Sequence, residues 1–91
     1  MIIREVNENK KQFISLLLLA DEQENMIDRY IEKGTMYVLE DDNVKAECVV
    51  TDEGNGILEI KNIAVLIRRW QKLWRQCIRS CLCRQEGMER C

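Results

Sequence analysis

The hydrophobic period of the chain changes at Gly34, and this change limits the folds open to it. Before Gly34, apolar residues recur at intervals of three and four over residues 13–20 and again over residues 26–31. This is the period of amphipathic helices. Gly34 then follows Lys33 as a helix C-terminal glycine does, which predicts a left-handed backbone there. A weakly alternating, β-branched segment at residues 1–6 predicts a strand before the helices.

After Gly34 the apolar residues have the spacing of extended chain. Runs at residues 35–39, 44–51 and 57–66 are separated by residues 41–43 and 53–56, which are rich in Asp, Asn and Gly. These residue types form tight turns, so the three runs predict an antiparallel meander. Strand, two helices, meander and a last helix give an α+β fold. At 91 residues the chain is long enough for one domain.

Charge divides the chain at Leu66. Residues 1–66 hold 7 Lys and Arg against 14 Asp and Glu, a net −7, whereas residues 67–91 hold 7 against 2, a net +5. The second segment has helical spacing from about residue 68 to residue 84 and carries Trp70 and Trp74. Its apolar stripe predicts either a helix packed on the sheet with solvated arginines or a basic amphipathic helix that docks elsewhere.

Cysteine usage excludes several kinds of site. The chain has five cysteines and no histidine, and its Cys77-x3-Cys81-x-Cys83-x7-Cys91 spacing lacks the two-residue separation of zinc knuckles. We therefore expect no metal site, with Cys77 and Cys81 acting as small apolar residues and Cys83 and Cys91 as exposed thiols. Without histidine, Ser-His-Asp and Cys-His catalysis are excluded. The first residues, Met-Ile-Ile-Arg-Glu-Val, do not have the pattern of a secretory signal, so we expect a cytoplasmic location.

The third strand carries a family resemblance. Its sequence Glu-Ile-Lys-Asn-Ile-Ala-Val-Leu at residues 59–66, preceded by a hairpin and by strand, helix and helix, resembles the front half of the GNAT superfamily of N-acetyltransferases. The resemblance covers residues 1–66. It implies that this strand pairs with the pantetheine arm and acetyl group of acetyl-CoA through Ile63, Ala64 and Val65. It also implies that Glu59 removes a proton from the acceptor amine, although a solvated strand residue is the competing interpretation of Glu59.

The resemblance ends at Leu66. The family's proline and its glycine-rich pyrophosphate loop are missing, since residues 67–75 contain neither residue type. A tryptophan codon read from its second nucleotide becomes a glycine codon, so Trp70 and Trp74 would both become glycine, and Gln71 would become Lys or Arg. This pattern suggests a hypothesis: a single-nucleotide shift near codon 67 placed residues 67–91, a basic helical tail, out of frame.

The resemblance thus implies an acetyl-CoA-dependent N-acetyltransferase that acts on a primary amine, in a truncated form with reduced or no activity. The acceptor amine is not identified, and neither a metal nor a specific nucleic acid is expected. The alternative is a non-enzymatic binding module, in which the basic tail helix docks on an acidic partner, a membrane surface or a second copy of the chain. An open sheet edge would favour self-association.

Overall fold

The computed structural model describes residues 1–86, with side chains described as far as Ser80. Four strands form one antiparallel sheet in the order β1-β2-β3-β4. Short 3₁₀ turns, Lys10–Phe13 and Arg68–Trp70, precede the first and last helices. In chain order the elements are β1 (Ile2–Val6), α1 (Ile14–Ala20), α2 (Glu24–Ile27), β2 (Thr35–Asp41), β3 (Asn43–Gly54), β4 (Ile57–Val65) and α3 (Gln71–Glu86).

The predicted α+β architecture is confirmed. The meander predicted after Gly34 is β2, β3 and β4, and β1 pairs with the free side of β2 from Ile2 opposite Glu40 to Val6 opposite Met36. The chain therefore folds as three layers, with α1 and α2 on one face of the sheet and α3 on the other. Consecutive strands that lie side by side need only short turns between them.

Each face of the sheet has its own hydrophobic core. The face under α1 and α2 buries apolar side chains from both helical segments and from three strands: Val6, Leu17, Ile27, Ile31, Met36, Val38 and Val49. The face under α3 buries a second set: Tyr37, Leu39, Ala46, Cys48, Val50, Trp74 and Ile78. The alternation of Ala46, Cys48 and Val50 on one face follows the period of two in a strand. Both faces of β2 and β3 are thus covered, which accounts for their nearly continuous apolar sequences.

Gly34 has a different role from the one its sequence position predicts. The residues with positive φ in the described chain do not include Gly34, so the expectation of a left-handed helix end is wrong. A Cβ at Gly34 would lie 2.7 Å from Val49 Cγ1. A glycine is needed there because the chain crosses closely over β3, not because of its φ angle.

The second helical segment is shorter than predicted. Regular helix ends at Ile27, and turns continue to Gly34 while keeping Ile31 buried. The Lys10 ammonium donates hydrogen bonds to the carbonyl oxygens of Ile31 at 2.9 Å and Gly34 at 2.7 Å. These carbonyls belong to the turns after α2, and Lys10, in the 3₁₀ turn before α1, supplies their hydrogen-bond donor.

The predicted turn between β3 and β4 is confirmed. Gly54, Asn55 and Gly56 all have positive φ, at 88°, 58° and 76°. Such angles favour glycine and asparagine. The Gly54 amide also donates a 2.8 Å hydrogen bond to Asp52 Oδ1. The Gly54-x-Gly56 pair therefore serves the hairpin.

The apolar stripe of α3 packs on the sheet. Trp74 and Ile78 are buried, with exposures of 0% and 1%, whereas Arg75 and Arg79 are exposed. This confirms the interpretation of the tail as a packed helix with solvated arginines. Cys77 is half-buried; Cys91 and the side chains of Cys81 and Cys83 lie outside the described part. No helix among the described residues combines the length and apolarity needed to cross a bilayer.

Candidate active site

The edge strand β4 carries a bulge in its middle. Val49 pairs with Asn62 and Val50 with Ile60, so Lys61 is the extra residue on β4. A bulge bends its strand and re-aims the side chains around it, and bulges are frequent beside active sites. The outer edge of β4 is unpaired among the described residues. Backbone donors and acceptors on that edge are therefore available to another strand or to an extended ligand.

The three residues that the family resemblance indicates as contacts of acetyl-CoA border a cleft. They line one narrow cleft of about 40 Å³ between the end of β4 and the start of α3, formed by Ile63, Ala64, Val65, Gln71, Trp74 and Arg75. This volume is close to the share of one water molecule in the liquid. The cleft is therefore too small to enclose a group larger than a water molecule. Such a group could bind only along the open side of the cleft.

The backbone amides of Ile63, Ala64 and Val65 do not all point to the same side of β4. The Leu66 amide, one residue beyond β4, donates a 2.7 Å hydrogen bond to the Lys45 carbonyl on β3. Because successive amides of a strand point to opposite sides, the amide of Ala64 points toward β3 and those of Ile63 and Val65 point to the outer edge. Ile63 and Val65 are therefore the residues whose backbone groups can pair with an extended ligand.

A second, larger cavity lies beside the β3–β4 hairpin. Its volume is about 630 Å³, and it is lined by Met26, Arg29, Tyr30, Lys33, Thr51, Asp52, Glu53 and Lys61. This is within the usual range for small-molecule sites. Lys61, the bulged residue of β4, links this cavity to the strand that borders the cleft.

Glu59, the carboxylate that the family resemblance indicates, lies next to this cavity but does not line it. It pairs across the sheet with Thr51, and its side chain is 52% exposed. The Lys61 ammonium is 3.2 Å from Glu59 Oε1. The structure thus gives Glu59 solvent access and one cationic neighbour.

The most perturbed carboxyl group in the described chain belongs to Glu47, which sequence reasoning missed. Glu47 lies in β3 opposite Ala64 and is completely buried. Burial raises its pKa to about 8, and the nearby Ala64 amide offsets part of that rise. Neither carboxyl oxygen has a hydrogen-bond partner of good geometry among the described residues. At neutral pH, Glu47 is therefore mostly a neutral acid.

Glu47 belongs to the face that carries a buried polar network. The Asn62 amide nitrogen donates 3.0 Å hydrogen bonds to the Leu17 carbonyl and to the Tyr30 hydroxyl. The Tyr30 hydroxyl in turn donates to Asp21 Oδ2 at 3.2 Å. Burial raises the pKa of the Tyr30 hydroxyl. Tyr30 also lines the larger cavity, so the network links β4 to the wall of that cavity.

The segment where the resemblance expects a phosphate-binding loop has another structure. Residues Arg68–Trp70 form a 3₁₀ turn, and α3 begins at Gln71. The Trp70 side chain is half-buried, its indole nitrogen is buried without a partner among the described residues, and the Arg69 guanidinium lies 5.6 Å from its ring centroid. A half-buried tryptophan therefore lies in the segment where the resemblance expects a glycine-rich loop.

The described side chains do not gather three or more Cys, Asp or Glu residues in a geometry that could hold a metal ion. The family resemblance makes acetyl-CoA the group to test against these residues. The outward backbone groups of β4 fit the extended arm of acetyl-CoA. The charge of Arg75 fits the phosphates of acetyl-CoA. The turn Arg68–Trp70 does not supply the glycine-rich cradle for its pyrophosphate.

No protein-family model and no curated protein matches the sequence. Solved structures do match. The chain is 31% identical to an IAA acetyltransferase from Bacillus cereus and 26% identical to a GNAT family acetyltransferase from Elizabethkingia anophelis with acetyl-CoA bound, each with a TM-score of 0.74. A Bacillus subtilis acetyltransferase in complex with CoA is 27% identical with the same TM-score.

These matches cover 96%, 96% and 92% of this chain, which in turn spans only 60%, 60% and 59% of the matched proteins. The structural likeness therefore includes α3 and is not confined to residues 1–66, where the sequence resemblance ends. With its four-stranded sheet and its helices on both faces, the chain is thus similar to part of these acetyltransferases and forms a partial GNAT-like segment.

Proposed function

We propose that this chain takes part in the transfer of an acetyl group from acetyl-CoA to a primary amine. One observation carries the proposal: Ile63, Ala64 and Val65 line a single cleft at the unpaired edge of β4, beside the start of α3. Structural neighbours solved with acetyl-CoA and with CoA support it. The outward amides of Ile63 and Val65 would bind the extended arm of acetyl-CoA in the way an edge strand binds a new strand.

The chain's own residues have separate tasks in this proposal. Glu59 accepts a proton from the ammonium group of the acceptor, because only the neutral nitrogen can attack a thioester. The nitrogen then forms a bond to the thioester carbonyl carbon while the carbon–sulfur bond breaks, and the second proton lost by nitrogen ends on the CoA sulfur. An outward amide of β4 stabilises the negative charge that develops on the carbonyl oxygen.

Affinity for acetyl-CoA is expected to be low, with reduced or no turnover. Charge-assisted hydrogen bonds to phosphate contribute roughly 1.5–3 kcal/mol each, and the turn Arg68–Trp70 offers no glycine loop to make them. Arg75 lines the cleft and is exposed, so it is the cation best placed to meet a phosphate beside β4.

Replacing Arg75 with Glu should weaken acetyl-CoA binding about tenfold, because a charge-assisted contact becomes a repulsion. Isothermal titration calorimetry at low salt is the measurement. The matched control is Arg79→Glu, one helical turn later on α3, exposed and outside the cleft; it makes the same charge change and should leave the affinity nearly unchanged. Equal losses of affinity in both variants would show that acetyl-CoA binding depends on the net charge of the protein and not on Arg75. Absence of binding, together with salt-sensitive capture by anionic vesicles, would favour the binding-module alternative.

The reading-frame hypothesis gives a separate prediction. In the coding DNA, the frame shifted by one nucleotide near codon 67 should encode glycine at the positions of Trp70 and Trp74 and continue into a longer open frame. Sequencing that DNA and measuring the intact mass of the natural protein are the tests. A natural mass equal to that of the present sequence, with both tryptophans encoded in frame, would refute the hypothesis.

A further inference from the structure

The larger cavity beside the hairpin is lined by charges of both signs, which come from two separate segments of the chain. Arg29 and Lys33 contribute two cations from the turns after α2, and Asp52 and Glu53 contribute two anions from the end of β3. Met26 and Tyr30 line the same cavity. We infer that this cavity binds a zwitterionic amine, a molecule that carries a carboxylate as well as its ammonium group.

Arg29 and Lys33 are not held by other side chains among the described residues. Neither Arg29 nor Lys33 forms an ion pair or a side-chain hydrogen bond there, whereas Lys11 bridges Glu24 and Asp28 at 2.5 and 2.6 Å. Arg29 and Lys33 are four residues apart and both face the cavity. A pair of unengaged cations on one wall suits a single carboxylate, since Arg can bind it with two parallel hydrogen bonds.

The two acids are held in place by the hairpin. Asp52 Oδ1 accepts the Gly54 amide at 2.8 Å, and Glu53 Oε2 accepts the Thr51 hydroxyl at 2.6 Å. Each carboxylate uses one oxygen in these bonds and keeps its other oxygen for a ligand. An ammonium group with three donors fits such a pair, because preorganised acceptors lose little freedom on binding.

The size of the cavity limits the size of its ligand. A volume of about 630 Å³ is within the roughly 300–1,000 Å³ of small-molecule sites. Two extended residues span roughly 7 Å, so a dipeptide is small enough for such a volume. A ligand of amino-acid to dipeptide size is therefore the class that the cavity accommodates.

The position of the cavity connects it to acyl transfer. Lys61 lines the cavity and lies two residues before Ile63, which lines the cleft; this separation is roughly 7 Å along a strand. The binding of the zwitterion to the cavity does not rest on the proposed function.

Three dipeptide probes test the charge requirement in the absence of acetyl-CoA. Leucyl-leucine has both charges, its C-terminal amide lacks the carboxylate, and its N-acetyl form lacks the ammonium. By calorimetry, leucyl-leucine should bind at least tenfold more tightly than either analogue. Equal affinities for all three, or no binding by any of them, would overturn the inference.

Matched variants locate the site. The double variant R29Q/K33Q should weaken leucyl-leucine binding at least tenfold and leave the affinity for the amide analogue unchanged. The double variant D52N/E53Q should also weaken leucyl-leucine binding at least tenfold, but it should leave the affinity for the N-acetyl analogue unchanged. The control K72Q/R79Q removes two exposed cations from α3 and should change neither affinity. A separate acetyl-CoA titration distinguishes the two proposals. Dipeptide binding without acetyl-CoA binding would contradict only the acyl-transfer role. Acetyl-CoA binding without dipeptide binding would contradict only the zwitterion site.

Discussion

Replacing Glu47 with Gln is expected to remove most of the loss of folding stability that the wild-type protein suffers as the pH rises from 5 to 7.5. Glu47 has a pKa of about 8 in the folded chain, against 4.5 as its ordinary value. Between these values the folded state keeps a proton that the unfolded state releases. A raised acid pKa therefore makes the free energy of unfolding fall with rising pH, by up to about 1.4 kcal/mol per pH unit.

The full window is about 3.5 pH units, from 4.5 to 8, so the total loss approaches about 5 kcal/mol. That is a large share of the 5–15 kcal/mol that stabilises a typical domain. The glutamine side chain of the variant has nearly the same shape and cannot ionise, so the part of the slope that comes from Glu47 should be lost. Urea unfolding at several pH values between 5 and 7.5, under reducing conditions, measures it.

The wild type and the Glu47→Gln variant differ at one titratable group. The chain contains no histidine. Tyr30, which faces Glu47 across the polar network, has its pKa raised above 10 by burial, and the pKa of Lys11 is raised above 10.5 by hydrogen bonds to Asp28 and Glu24. Both lie outside the pH range measured, and Asn62 carries no charge. The difference between wild type and variant therefore reports on Glu47.

The control is Glu59→Gln, which removes a carboxylate that is exposed and lies near the larger cavity. It should keep the wild-type slope, because its side chain is 52% exposed and the substitution leaves the buried Glu47 in place. A wild-type stability that stays flat from pH 5 to 7.5, or a Glu47→Gln variant with an undiminished slope, would contradict the burial of an unpaired carboxyl group in β3.

Much of the fold was predictable because it depends on local signals. The period change at Gly34 and the turn residues Gly54, Asn55 and Gly56 specify where helix gives way to strand and where the chain reverses. Antiparallel neighbours joined by short turns then leave little choice of topology. The packing of Trp74 and Ile78 on the sheet was one of two interpretations of the α3 stripe, and only the structure decides between them.

The site was less predictable because it depends on contacts between distant residues. Glu47 stands in an apolar run, Ala-Glu-Cys-Val-Val at residues 46–50, and that run was a usable signal: a strand covered on both faces must bury whatever charge it contains. The larger cavity gave no such signal, since Arg29 and Lys61 lie far apart in sequence and meet only when α2 crosses the sheet. The same holds for the close approach of Gly34 to Val49.

Replacing Trp74 with Ala should destabilise the protein by about 3–5 kcal/mol, the usual cost of truncating a buried aromatic residue. Trp74 is 0% exposed within the second core, and its indole nitrogen donates a 2.9 Å hydrogen bond to the Glu47 carbonyl. The substitution leaves a cavity between α3 and the sheet and takes a hydrogen-bond partner from that carbonyl. Urea denaturation at pH 5, where Glu47 is protonated in the folded state, gives the free energy of unfolding.

Two further variants keep this prediction testable if Trp74→Ala does not fold. Trp74→Phe preserves most of the packing and loses only the hydrogen bond to Glu47, so it should cost about 1–3 kcal/mol. Trp70→Ala is the matched control, because Trp70 is half-buried and its indole nitrogen has no partner among the described residues; it should cost clearly less than Trp74→Ala. Equal, small effects at both tryptophans would mean that α3 does not close the second core, whatever reading frame produced it.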